Sequence, residues 1–573
     1  MNLRFDKYHT YREITEFLQS CVSAYPGFCK LDSIGKSLEG RDIWMLEITN
    51  RKTGPGCDKP AVYADGNIHA GEVTGAETIL WAVKHLLGNY DKDRRITYLL
   101  DTRVFYFIPR IAVDGAEYYL TTPDVLRSSV RQWPDAYDDK PGLCPEDVDG
   151  DGRILFMRKE DPDGGWKISG KDPRLMVRRG PHELPEPGTA YYHVYIEGMV
   201  KDFDPGLPVE KAPEKHSLDF NRNFPTNWAV HTRQKGSGDY PFSEPEMKAV
   251  ADFFVSHPNI VLSMSYHTYG GYVLRPFCSQ SDTAMDVQDL QIYLAAGEVA
   301  EDVTGYPCKS IYQWFTRDQT RPSVGSALEW AYETLGILAL ATELWDMRGR
   351  AGLPKEPAHT RQAVTCKERE EEELTLLKWN DKVMNGTLFI NWYEFDHPQL
   401  GLVEIGGWEP KFGRDNPPLC FLEEECRKNG LFILDLASMA PRLAIEKATA
   451  NPLGNGLYKI DAVVKNQGYL PSHGTFSALK MNRAEPVRAV LDISPGQNPE
   501  QPLGSQGAGI ETPGETTLVA GKAQQELGHL GGRAGGGSYK KRVSWVVRGK
   551  PGQPVTVAAY SSRAGKSQCE IVL

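Results

Sequence analysis

Along residues 1–345 the spacing of apolar and polar positions switches repeatedly between two periods. Nearly continuous apolar runs at 42–48, 61–68, 102–109, 260–266 and 336–344 have the length and composition of strands buried on both faces. Between them the 3.6-residue period takes over. Residues 73–90 place Ile79, Leu80, Val83, Leu86 and Leu87 on one helical face, and 244–256 reads as a helix opened by a capping box, Ser243-x-x-Glu246. The N-terminus does the same with Thr10-x-x-Glu13 ahead of an amphipathic stretch. Strands of this kind alternating with helices predict an α/β sheet covered on both faces.

Two other regions have different patterns. Residues 120–240 lose periodicity and are rich in Pro, Gly and Asp, which predicts a long irregular insertion, centred on about 120–215. Helical patterns return at 366–384 and 420–440, and the acidic run 368–373 reads as a solvated helix face. From 446 onward short alternating runs separated by Gly, Pro and Asn predict an all-β sandwich, with 528–537 as a hairpin loop. The expected domains are therefore 1–445 and 446–573.

Composition narrows the class without changing this picture. At 573 residues the chain is long enough for more than one core, and 40% hydrophobic with 25% charged residues is ordinary for a globular protein. No apolar window approaches a membrane span. A net charge of −11, from 76 acidic and 65 basic residues, leaves no basic footprint for nucleic acid. The ten cysteines contain no Cys-x-x-Cys pair and are too sparse for a disulfide scaffold, so they read as reduced thiols. With no basic start followed by an apolar core, the expectation is a cytoplasmic protein, or a secreted one if a leader has been removed. Nothing in the pattern indicates an oligomeric state.

The chemistry gathers at the ends of the strand runs. His69 and Glu72 follow 61–68 in "DGNIHAGE", His267 follows 260–266, and Glu343 closes 336–344. Open α/β sheets bind ligands beyond the carboxyl ends of their strands, so these side chains can share one crevice. Two imidazoles and a carboxylate suit Zn²⁺ with a fourth position left open. Singly, His69 and Glu72 would pass for a turn pair and His267 for a core histidine. The run "HSLDFNRNFPTNW" adds a guanidinium beside amides, suited to clamping a carboxylate, and Asp219 is a candidate to orient an imidazole.

Taken together, His69-Ala-Gly-Glu72, "DFNRNFP", "SYHTYGG" and "ATELWD" resemble the zinc carboxypeptidases of the carboxypeptidase A type (peptidase family M14), and 33–50 resembles that family's opening strands. The resemblance covers roughly 1–345. It implies a mixed eight-stranded sheet with helices on both faces and one zinc on His69, Glu72 and His267. It further implies Glu343 as general base, Asn221 and Arg222 as binders of a peptide's free terminal carboxylate, and Arg127 as the residue polarising the scissile carbonyl, with Arg131 close enough to compete. For the tyrosine that caps the substrate it points to Tyr312, with Tyr332 open. At the specificity pocket, alignment on Gly325-Ser326 points to Ala327 and alignment on Trp330 to Leu328. Neither brings a charge, although Arg275, Arg317 or Arg321 could reach in.

Within the insertion, Asp147, Asp149, Asp151 and Gly152 copy the first half of an EF-hand loop, but position twelve is Arg158. Calcium is therefore a second expected cofactor, with Asp161 or Asp163 as completing ligands, against an acidic surface turn. The β part carries no catalytic set, since His473 and His529 stand alone. The expected activity is hydrolysis of the C-terminal peptide bond. A related zinc amidase acting on an unusual acyl or cell-wall bond, and an inactive peptide-binding module, are the alternatives.

Overall fold

The computed structural model describes residues 3–134, 140–184, 186–493 and 516–573. Its centre is a mixed eight-stranded sheet in the order Cys29–Lys36, Asp42–Ile48, Val104–Ile108, Ala61–Gly66, Ile260–Thr268, Leu338–Leu344, Tyr272–Arg275, Cys308–Ser310. Strands 104–108, 61–66, 260–268 and 338–344 run parallel, as their unbroken apolar character requires, and antiparallel neighbours flank them.

Strand pleating sorts the helices to the two faces. Tyr63 pairs in register with Ser263 and packs on Phe253 and Phe254 of helix Pro245–Ser256. Tyr266, three residues on and so on the opposite face, donates from its hydroxyl to Asn429 O at 3.1 Å in helix Leu419–Met439, which packs along helix Thr74–Asn89. The approach on this face is close. A Cβ on Gly75 would lie 3.0 Å from Tyr266, so only glycine lets helix 74–89 start against the strand ends. No helix among the described residues is long and apolar enough to cross a membrane.

Two sequence expectations are corrected here. The Thr10 capping box is present, but helix 245–256 begins after Glu244 with Pro245 in its first turn, and the Ser243 hydroxyl donates to Glu244 at 2.8 Å. The insertion is also not irregular. Its short strands Phe156–Glu160, Trp166–Ile168, Met176–Arg178 and Tyr191–Ile196 join Phe389–His397 and Gly401–Trp408 in a six-stranded sheet.

From Leu443 the chain forms two four-stranded antiparallel sheets enclosing Ile460, Val464, Val487, Trp545, Val547 and Val557. The glycine-rich stretch at 528–537 is not a hairpin within one sheet. It carries the chain from strand Gln524–Gly528 in one sheet to Lys540–Arg548 in the other. The sandwich is fastened to the α/β unit by Arg563, whose guanidinium donates to Gly336 O at 2.6 Å, and by the Thr475 hydroxyl, which donates to the same carbonyl at 2.8 Å.

Candidate metal and active site

Parallel register makes the site. Strands 260–268 and 338–344 pair His267 directly with Glu343, and strand 61–66 ends level with Tyr266, so the turn after it carries His69 and Glu72 over the same edge. His69 Nδ1 lies 2.8 Å from Glu72 Oε1 and His267 Nδ1 lies 2.9 Å from Glu72 Oε2. The two imidazole Nδ1 atoms face each other at 3.2 Å. Two basic nitrogens this close, sharing one carboxylate, are best satisfied by a cation between them. Their separation is near the edge of a tetrahedron with ligand bonds of about 2.0–2.1 Å. All three residues are buried, so the donor set fits zinc in chemistry and in spacing.

Each imidazole is held from behind. His69 Nε2 meets Asp219 Oδ1 at 3.1 Å, which assigns its proton to that nitrogen and leaves Nδ1 as the donor. His267 Nε2 faces Ser265 Oγ at 3.4 Å and Asn221 Nδ2 at 3.5 Å, and the Ser265 hydroxyl donates to Asp65 Oδ1 at 2.6 Å. Sequence reasoning missed Asp65 and Ser265. The available signal was an acid in the middle of the apolar run 61–68.

Charge is finely partitioned across the site. Burial works against ionisation of Glu72, yet His69 and His267 hold its carboxyl well below the usual range. Asp219 is likewise held low against burial, chiefly by Arg127 and then Arg222. Glu343 behaves oppositely. Burial, with Glu72 adding to it, pushes its carboxyl up to about 8 although His267 pulls the other way. Such a carboxylate is a stronger proton acceptor than a solvated one.

Arg127 donates from Nε to Asp219 Oδ2 at 3.1 Å and from Nη1 to Glu72 Oε1 at 3.4 Å, with its side chain 45% exposed. Arg131 is engaged elsewhere, on Glu244 at 2.6 Å. Asn221 and Arg222 lie in the short turn Phe220–Arg222, where Asn221 Oδ1 accepts from Ala327 N at 2.9 Å. Of the two tyrosines, Tyr332 is buried with its hydroxyl donating to Asp289 at 2.9 Å, whereas Tyr312 lies in the turn Ile311–Phe315 with its hydroxyl 3.5 Å from Gln319 O. Arg275 is paired with Asp282 on both nitrogens, at 2.5 and 2.6 Å.

The acidic loop does not support calcium. The Asp147, Asp149 and Asp151 oxygens come within 4.8 Å of one another, but they accept from the loop's own Gly150, Gly152, Asp151 and Arg153 amides at 2.8–2.9 Å. Arg158, in the twelfth position, is tied to Glu404 at 2.8 Å, and Asp161 accepts from Asp163 N at 2.8 Å.

An α/β sheet thus brings two imidazoles and a carboxylate together at its strand ends, backed by an arginine and a second buried carboxylate, in a donor set that fits a single metal ion. The chain belongs to the zinc carboxypeptidase family, whose profile matches residues 14–150 and 153–364, more than half of its length. Carboxypeptidase A2 of Rattus norvegicus is 24% identical over 353 residues, 60% of this chain and 64% of that protein, so the match spans less than two thirds of the relative. A zinc carboxypeptidase of Saccharothrix mutabilis subsp. capreolus is 34% identical over 128 residues, 22% of this chain and 28% of that one. The crystal structure of carboxypeptidase A from Helicoverpa armigera aligns over 67% of this chain and 76% of its own, at 17% identity and a TM-score of 0.38. Residues 442–572 match a domain of unknown function (DUF8731).

Proposed function

We propose that this chain is a zinc-dependent carboxypeptidase that hydrolyses the C-terminal peptide bond of peptides. The observation that carries the reading is the convergence of both Nδ1 atoms on the Glu72 carboxylate, at 2.8–3.2 Å, with Glu343 on the neighbouring strand in register with His267. His69, Glu72 and His267 would hold the zinc, which when bound would supply Lewis acidity and lower the pKa of a water to ~7.

The chain's own residues do the rest. Arg222 and Asn221 take the terminal carboxylate, the guanidinium giving paired N–H donors and the amide a third. Arg127, with one edge on Asp219 and Glu72 and the other open to the cleft, meets the negative charge that develops on the scissile carbonyl oxygen. Glu343, 7% exposed, accepts the proton of the attacking water at its carboxylate and returns it to the leaving amine. Asp219 fixes the tautomer and orientation of His69. Tyr312, on its half-buried turn, is the residue available to close over the substrate.

The test measures zinc content and release of C-terminal amino acids from a mixed peptide library, for wild type and Glu343→Gln. About one zinc per chain in both, with release by wild type alone, supports the reading. A zinc-loaded wild type that leaves the library untouched would sink it and favour an amidase of unusual bonds.

A further inference from the structure

The family profile stops at residue 364, yet a helix from beyond it is bonded to the strand end that carries Glu343. Helix Leu419–Met439 turns Glu425 and Asn429, one turn apart and both fully buried, toward the central sheet. The Asn429 carbonyl accepts from the hydroxyl of Tyr266, the residue before His267, at 3.1 Å, and the Asn429 side-chain amide donates to Glu425 Oε1 at 3.1 Å. The same oxygen accepts from the Trp345 main-chain N–H at 3.1 Å and from the Tyr306 hydroxyl, which itself accepts from that N–H at 3.0 Å. Glu425 Oε2 lies 2.9 Å from Lys428 Nζ.

Trp345 stands two residues past Glu343 and one past the end of strand Leu338–Leu344. Its N–H is buried where the sheet ladder has stopped, so its partners must come from outside the sheet. Its φ of +66° is a left-handed conformation that a bulky L side chain seldom adopts and that persists only where the surroundings fix it. Here they do. Glu425 and Tyr306 hold the N–H, Gly270 N donates to the Trp345 carbonyl at 2.8 Å, and the indole donates to Gly413 O at 2.8 Å. Beside it, Gly271 N donates to Glu343 O at 2.8 Å. Lys355 Nζ closes the ring, donating to Gly270 O and Gly271 O at 2.6 and 2.8 Å while 2.6 Å from Asp346. A leucine at position 425 would pack a helix on a sheet without a charge to bury. It would not supply an acceptor for the Trp345 N–H.

Resting on the carboxypeptidase reading, in which Glu343 takes the proton of the attacking water, we propose that Glu425 is a positioning residue for that base. By accepting the Trp345 N–H it fixes the left-handed turn at the end of strand 338–344, and the turn fixes the main chain that carries Glu343. The role belongs to the acceptor oxygen, since Oε1 makes three of the contacts and Oε2 only the ion pair with Lys428. Proton transfer is sensitive to such placement, because a misplacement of about 1 Å can cost ~100-fold in rate.

The experiment measures kcat and KM of wild type, Glu425→Leu, Glu425→Gln and Tyr306→Phe on the library peptide that wild type cleaves best, with zinc content and circular dichroism of each. Glu425→Leu removes the acceptor and should lower kcat about 10–100-fold, with KM within about twofold and zinc content unchanged. Glu425→Gln keeps the acceptor and should stay within about threefold of wild type in kcat. Tyr306→Phe takes away one of the two partners of the N–H and should lower kcat about 3–10-fold, again at constant KM. Hydrogen exchange at the Trp345 amide should quicken in the leucine and phenylalanine variants and stay slow in Glu425→Gln. A folded Glu425→Leu with kcat within about twofold of wild type, a rise in KM that matches the fall in kcat, or a Glu425→Gln as slow as Glu425→Leu overturns the proposal in favour of a general structural role. If Glu425→Leu does not fold, the split between kcat and KM in Tyr306→Phe decides in the same way. A wild type that leaves every peptide intact overturns the carboxypeptidase reading and this inference with it, whereas an active wild type with unaltered variants overturns the inference alone.

Discussion

Substituting Asp219 by asparagine isolates the group that holds His69 in place. One carboxylate makes three contacts: Oδ1 with His69 Nε2 at 3.1 Å and with Asn221 N at 2.9 Å, and Oδ2 with Arg127 Nε at 3.1 Å. Asparagine keeps the side-chain volume and the acceptor that caps the turn 220–222 but loses the charge felt by the imidazole and the guanidinium. Charge-assisted bonds of this kind contribute about 1.5–3 kcal/mol each. The His69 contact bears directly on a metal ligand, so zinc affinity should fall about 10–100-fold, equivalent to ~1.4–2.7 kcal/mol. The measurement is zinc competition against a chromophoric chelator at pH 7.5, with Asp239→Asn, on an exposed carboxylate near Arg131, as control. A zinc dissociation constant for Asp219→Asn within twofold of wild type would refute the assignment of Asp219 as the partner that orients His69.

Other consequences follow from charges and bonds outside the metal set. Burial, reinforced by Asp114 and Glu244, pushes Glu246 from 4.5 up to about 7. The folded chain then holds that proton to higher pH than the unfolded one, so stability declines as pH rises between these values and stays low above them. Glu246→Gln should therefore stabilise by about 2–3 kcal/mol at pH 8 and by little near pH 4.5; urea midpoints that shift equally at both pH values would contradict this. Arg563 donates to Gly336 O and His473 O at 2.6 and 3.1 Å from a fully enclosed position, so Arg563→Met should cost about 3 kcal/mol or more and expose residues 441–448 to proteolysis. Chelation should lower the thermal midpoint, since zinc at a thousandfold excess over its dissociation constant stabilises by ~4 kcal/mol, and His69→Ala should abolish the difference.

What could be read from the sequence follows the range of the interactions involved. The strands 61–66, 260–268 and 338–344 are continuous apolar runs because each is buried on both faces, so local pattern carried their ends and the residues at or just beyond them, His69, His267 and Glu343. The burial of Tyr332 could not be read locally. It turns on Asp289, whose carboxylate lies 2.9 Å from the Tyr332 hydroxyl although it is 43 positions away in the chain. The Ser243 cap failed for a similar reason, because Pro245 and Glu244 took the helix start and drew the serine to a side-chain partner. Residues 120–240 looked irregular because their strands are only three to six residues long and find their partners far along the chain, as in the pairing of Arg158 with Glu404.

That pairing also explains why the insertion and the loop 409–416 belong together. Strand 401–408 has strand 389–397 on one side and strand 156–160 on the other, and Arg158 locks the seam with two bonds to Glu404 while stacking on Tyr192 and Trp392. A two-stranded ribbon by itself is marginal in water, so without the insertion strands 389–408 would lose the edge that holds them flat. The loop 409–416 starts where that strand ends, and its bonds to Gly71, Thr74 and Trp345 tie it to the segments that carry Glu72 and Glu343. The insertion thus acts at a distance, by helping to set the position of a loop encoded more than two hundred residues later. A chain that lost residues 156–196 would be expected to keep His69, Glu72 and His267 on the central sheet and to loosen the loop 409–416, read as faster hydrogen exchange there.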